Sequence, residues 1–87
     1  MQALKLLNNT SATAITFSYN KYIIQTFSDE DSNIIYATVY TQSYLYCATV
    51  HFYFAQNTYE IQNTTHNITK TVLNNICKAI TNNIHNF

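Results

Sequence analysis

The chain has 87 residues, 47% of them hydrophobic and only 9% charged, with a formal net charge of zero at pH 7. That length allows one small domain over residues 1–87, with a stability of roughly 5–8 kcal/mol, and the hydrophobic share excludes disorder. There is no Arg, Gly or Pro, and the four cations are Lys5, Lys21, Lys70 and Lys78. Phosphate-cradling loops and dinucleotide fingerprints are therefore excluded, and clustered cations for nucleic-acid backbones are missing.

Polarity comes from Asn, Thr, Ser, Gln and Tyr. A neutral surface offers little colloidal repulsion, which favours self-association or a permanent partner. The Asn, Ile, Thr and Tyr bias points to an AT-rich coding region, as in a virus or mobile element. Residues 1–7 are too short an apolar patch for a signal sequence. Two cysteines without such a signal read as reduced, buried thiols. The expected localisation is cytoplasmic.

In chain order, residues 2–8 predict a short helical turn, with Ala3, Leu4 and Leu7 on one side. Ile15, Phe17 and Tyr19 alternate with Thr16 and Ser18, which predicts a first strand. Asn20-Lys21 reads as a two-residue turn, because Asn tolerates positive φ. A second strand covers 22–27, and 28–33 reads as an acidic loop. Residues 34–54 (IIYATVYTQSYLYCATVHFYF) are uncharged and rich in β-branched and aromatic side chains, and they split at 41–44 into a hairpin. Their period of two and scattered polar residues argue against a membrane helix.

Even-length loops place these strands in one antiparallel meander with a single register. Its core face collects Ile15, Phe17, Tyr19, Tyr22, Ile24, Ile35, Ala37, Val39, Tyr46, Ala48, Val50, Phe52 and Phe54. Its opposite, mixed face collects Ile23, Phe27, Ile34, Tyr36, Tyr40, Leu45 and Tyr53 among Thr, Ser, Gln, Cys47 and His51. A C-terminal helix supplies the cover: Ile68, Val72, Leu73, Ile76, Cys77, Ala79, Ile80, Ile84 and Phe87 share about half its circumference. Its start is open between an Asn57–Glu60 capping box and a cap at Thr64 or Thr65. The expected fold is α+β: a four-stranded antiparallel meander, one face covered by a C-terminal helix.

Candidate chemistry is sparse. The run 29–33 (DEDSN) opens like a calcium loop but has Ile34 and Tyr40 where Gly and Glu are needed. His51, His66, His85, Cys47 and Cys77 lack metal-ligand spacing. Cys47 and His51, four apart on a strand, are separated by about 13 Å and cannot form a nucleophilic pair. No catalytic residue, metal, cofactor or small-molecule substrate is expected.

The mixed face carries the functional expectation. Its tyrosine and apolar side chains form a patch that monomers rarely leave bare, and tyrosine is enriched at interface cores. The expected partner is a protein or a second copy, bound without catalysis through Ile23, Phe27, Ile34, Tyr36, Tyr40, Leu45 and Tyr53, the outer strand edge, or both. In kind this resembles small phage inhibitors, anti-CRISPR proteins among them, which act by occupying a surface. The alternative is an RNA-binding module, since the helix–strands–helix order is similar to that of a double-stranded-RNA-binding domain. The missing Arg and neutral balance argue against it.

Overall fold

The computed structural model describes residues 5–11, 14–29, 33–53 and 55–83. The elements are β1 (Lys5–Ser11), β2 (Ala14–Tyr19), β3 (Tyr22–Asp29), β4 (Ile34–Thr41), β5 (Tyr46–Tyr53), β6 (Thr58–Thr64) and α1 (Lys70–Asn83). The strands form one antiparallel sheet in the order β1-β2-β3-β4-β5-β6, so each strand pairs with its neighbours in sequence. The predicted four-stranded meander is β2–β5.

Two strands enlarge it. Where a helical turn was expected over 2–8, residues 5–11 are β1, paired with β2; residues 2–4 lie outside those described. The segment offered as a helix start contains β6 instead. Its alternation is carried by Tyr59 and Ile61 alone, both half-buried between exposed polar neighbours. Two apolar positions fit the end of a strand or the first turn of a helix equally well.

The chain turns without glycine by holding Asn20, Asn33 and Asn57 in the left-handed region, with φ of 55°, 56° and 53°. Each follows or precedes a strand, and Asn is the non-glycine residue that tolerates this conformation best. Asn20-Lys21 closes β2 onto β3, with Tyr19 opposite Tyr22, as its composition predicts.

The core lies between one sheet face and α1. Ile15, Phe17, Ile24, Ile35, Ala37, Val39, Ala48, Val50 and Phe52 are buried from the sheet, and Ile68, Leu73, Ile76, Cys77 and Ile80 from the helix segment. Tyr19 and Tyr22 pack against that cluster while remaining partly exposed. Phe54, Ile84 and Phe87 lie outside the described residues. Thr26 joins the core because its Oγ1 donates a 2.8 Å hydrogen bond to the Ile15 carbonyl, which satisfies the buried hydroxyl.

One register shift corrects the predicted partition. Val39 pairs with Ala48 but Tyr40 pairs with Tyr46, so Cys47 is the extra residue of a β-bulge. The bulge turns Cys47 into the core, fully buried, and swings Tyr46 to the mixed face. Both had been expected on the other side. Leu45 precedes β5 in the turn and belongs to neither face of the sheet.

The bulge is anchored by the β6–α1 connection. Thr65 N–H donates to the Cys47 carbonyl at 2.8 Å, and its Oγ1 reaches the Tyr46 and Cys47 carbonyls at 3.1 and 3.0 Å. Asn67 Nδ2 donates to the Tyr46 carbonyl at 2.8 Å. Thr65 is thus spent on the sheet, and the helix cap is Thr69. The Thr69 Oγ1 accepts from Val72 N–H at 3.3 Å and its carbonyl from Leu73 N–H at 3.0 Å. Tyr59 Oη donates to Asn74 Oδ1 at 3.3 Å, tying α1 to β6.

Val50 and Ile76 sit on the two sides of this core, 1% and 0% exposed. Val50→Asp and Ile76→Asp each bury an unpaired carboxylate, at a cost of at least about 3–5 kcal/mol against a total of roughly 5–8. Both variants should lose cooperative thermal unfolding by circular dichroism. A folded melt from either would break the sheet–helix core.

Candidate functional site: the tyrosine face

Register arranges the mixed face into rows that run across the strands. The first row is Ala14–Phe27–Tyr36–His51–Glu60, from β2 to β6. Beside it runs Thr16–Gln25–Thr38–Thr49–Asn63, a row of hydroxyls and amides. A third row is Ser18–Ile23–Tyr40–Tyr46. On the other side of the first row stands a fourth, Asp29–Ile34–Tyr53–Thr58. The face is therefore a shallow polar trough between bulky aromatic ridges.

The ridges are partly ordered by ring contacts. Tyr36 and His51, directly opposite across β4 and β5, meet edge to face with centroids 4.8 Å apart. Tyr40 lies 6.5 Å from Tyr46 and 6.0 Å from Tyr44. Tyr46 Oη hydrogen-bonds Thr49 Oγ1 at 2.5 Å and accepts from Asn63 Nδ2 at 3.1 Å. These pairings tie the rings to one another on a strand scaffold while leaving Tyr36, Tyr40, Tyr46 and His51 half-exposed.

Ile23, Ile34, Tyr36, Tyr40 and Tyr53 are all half-buried, and Phe27 is 55% exposed. These six of the expected partner-binding residues share one face. Leu45 is 56% exposed but stands at the end of the sheet, beside the third row. Tyr46 replaces it on the face proper.

Sequence reasoning also missed Tyr44. It is 61% exposed and its φ of 64° puts a bulky aromatic in the left-handed region, where non-glycine residues are strained. The turn around it is over-determined. Tyr44 N–H donates to the Thr41 carbonyl at 2.9 Å, Leu45 N–H donates to Thr41 Oγ1 at 3.1 Å, and Thr41 N–H donates to the Leu45 carbonyl at 2.9 Å. Only a turn with Asn or Gly at that position would have been recognisable from sequence.

Neither cysteine is poised as a nucleophile. Burial pushes the Cys77 thiol up to about 12, so it stays protonated at neutral pH. Burial also raises Cys47, and the bulge separates it from His51 by the thickness of the sheet. Burial, then the proximity of Cys77, raises the Tyr59 hydroxyl. Among the described residues no three His, Cys, Asp or Glu side chains come together as a metal site, and no helix is long and apolar enough to cross a membrane. The acidic residues 30 and 31, His85 and residue 32 lie outside the described residues.

Both outer strands are irregular. β1 carries register shifts between Leu6 and Asn8 and between Asn9 and Ser11. β6 carries one opposite Thr49 and Val50, where Gln62 is the extra residue. Bulged edges resist pairing with further strands, so of the two surfaces expected to bind, the face is the better suited.

Tyr44→Gly should relieve the left-handed strain and raise unfolding stability by about 1 kcal/mol, measured by urea denaturation. Lost stability would mean that the Tyr44 ring contributes more to the fold than its conformation costs.

Comparison with protein-family models, with curated proteins and with solved structures finds no match for this chain.

Proposed function

We propose that this is a non-enzymatic protein-interaction module that works through its tyrosine face. The observation that carries the reading is the pair of aromatic rows spanning β2–β5, exposed or half-exposed on a rigid central scaffold. Tyrosine offers large, amphipathic contact area with few rotamers to freeze, and partners select it at interface cores for that reason. Central strands β3, β4 and β5 fix the rings in place, which lowers the entropic cost of docking.

The finer form of the proposal is a module that either pairs with a second copy or docks on a larger protein as a small inhibitor or adaptor, in the manner of small phage inhibitors. Nothing in the rows would perform chemistry on that partner. The rows lack Lys and Arg among the described residues, so they complement an uncharged apolar protein surface and not a phosphate backbone. The RNA-binding alternative rested on a helix–strands–helix order and on sheet tyrosines that could stack bases. Residues 5–11 are strand, and the missing Arg and neutral charge disfavour base stacking on a phosphate-bearing ligand.

Tyr36→Ala and Tyr40→Ala should leave the thermal melt within about 1 kcal/mol of the parent, as half-exposed substitutions do. A photo-crosslinking phenylalanine analogue at position 36 should capture protein on irradiation, while the same group at exposed Lys78 should not. Equal capture from both sites, or none from either, would contradict the proposal. Unfolding of both alanine variants would mean that the face is core.

A further inference from the structure

We propose that the tyrosine face binds a second copy of this chain, packed face to face about a two-fold axis that crosses the strands between the Tyr36 and Thr38 rows. This rests on the reading of that face as an interface and names its occupant. A two-fold contact must be self-complementary, and the row order meets that condition.

Strand β4 presents Ile34, Tyr36, Thr38 and Tyr40 to this face, a set centred on Ala37. An axis above Ala37 lays the Tyr36 row of each copy over the Thr38 row of the other, ridge into trough. The same operation sets Ile34 over the second copy's Tyr40. Each β4 tyrosine then meets a smaller side chain, while on β5 the same operation sets Tyr46 over the second copy's Tyr53, ring against ring. The rotation of about 30° usual between packed sheets leaves this pairing intact at the centre.

Chemistry matches the shape. A buried tyrosine hydroxyl needs a hydrogen-bond partner, and the trough supplies Gln25, Thr38 and Thr49. Between the two rows on β2–β4 lies a groove of about 320 Å³, lined by Ala14, Thr16, Gln25, Phe27, Tyr36 and Thr38. It receives the facing copy's aromatic ring. Whole-chain charge adds little repulsion, because the net charge is zero, and the two acids in the rows, Asp29 and Glu60, lie at row ends. Glu60 stands at the β6 edge, where the symmetry sets it over the Asn63 amide.

Size is adequate as well. Five strands at about 4.8 Å spacing and eight residues of β3 at about 3.3 Å rise give a flat patch of about 500 Å² per copy. Two copies then bury about 1,000 Å² before side-chain relief is counted, the lower bound for a specific interface. The bulges in β1 and β6 direct association to the face, not to an edge-to-edge sheet.

Light scattering coupled to size exclusion, across roughly micromolar to millimolar loading, tests this. The expected mass is twice the 10.1 kDa of the chain. Thr38→Lys, and independently Thr49→Lys, places a cation in the trough and should weaken the dimer at least about 100-fold with an unchanged circular dichroism spectrum. A dimer untouched by either folded variant overturns the proposal, since the contact then lies elsewhere. So does a monomer at every concentration. A monomer that still crosslinks another protein from position 36 leaves the interaction reading standing, whereas a monomer that crosslinks nothing removes both.

Discussion

The pairing of β4 with β5 is the constraint on which the rest depends. Both are interior strands of the six-stranded sheet, and a shift of one residue between them would exchange Ile35, Ala37 and Val39 for Ile34, Tyr36 and Thr38 in the core. The bulge at Cys47 permits that register together with the turn at 41–45. It absorbs one residue, buries a small thiol, and restores alternation from Ala48 onward. Thr65 and Asn67 hold the backbone at that point, so the same hydrogen bonds that fix the bulge also deliver the chain to the start of α1.

A sheet organised this way has one satisfied face and one open one. The helix and the Ile68 segment close the first with apolar contacts. The second is built from the same β-branched and aromatic residues, which strand formation favours on either side, and among the described residues no element packs over it. Bulges at the outer strands deny the usual route of strand-by-strand growth, and the scarcity of charge removes the repulsion that would keep such a face apart from others. Tyr44 extends the aromatic surface past the end of β4 at a conformational cost. Strain of that kind persists where the surrounding structure over-determines it, and it concentrates at working surfaces.

Much of this was legible in the residues. Alternation in 34–40 and 48–53 separates core from mixed face correctly, because a period of two is unambiguous when neither Gly nor Pro interrupts it. The helix was legible from Leu73, Ile76, Cys77 and Ile80 recurring at helical spacing. What stayed hidden lacked a periodic signal. β1 (KLLNNTS) carries two bulges that break its alternation, and its Leu pair mimics a helical turn. β6 has only Tyr59 and Ile61 to mark it. The Cys47 bulge has no signature of its own, so Tyr46 and Cys47 were assigned to opposite faces from those they occupy. Six of the seven expected face residues share one surface, Leu45 being the one displaced into the turn.

The central claim is that the tyrosine face is open in the single chain and closes on association. Hydroxyl-radical footprinting with residue-level mass spectrometry reads that directly, over a dilution series of the intact protein. The account predicts that Tyr36, Tyr40 and Tyr53 are oxidised readily at low concentration and become protected as concentration rises, with Phe17 and Phe52 protected throughout. Protection of Tyr36 and Tyr40 in samples that light scattering shows to be monomeric would contradict it, because the face would then be covered by the chain's own residues.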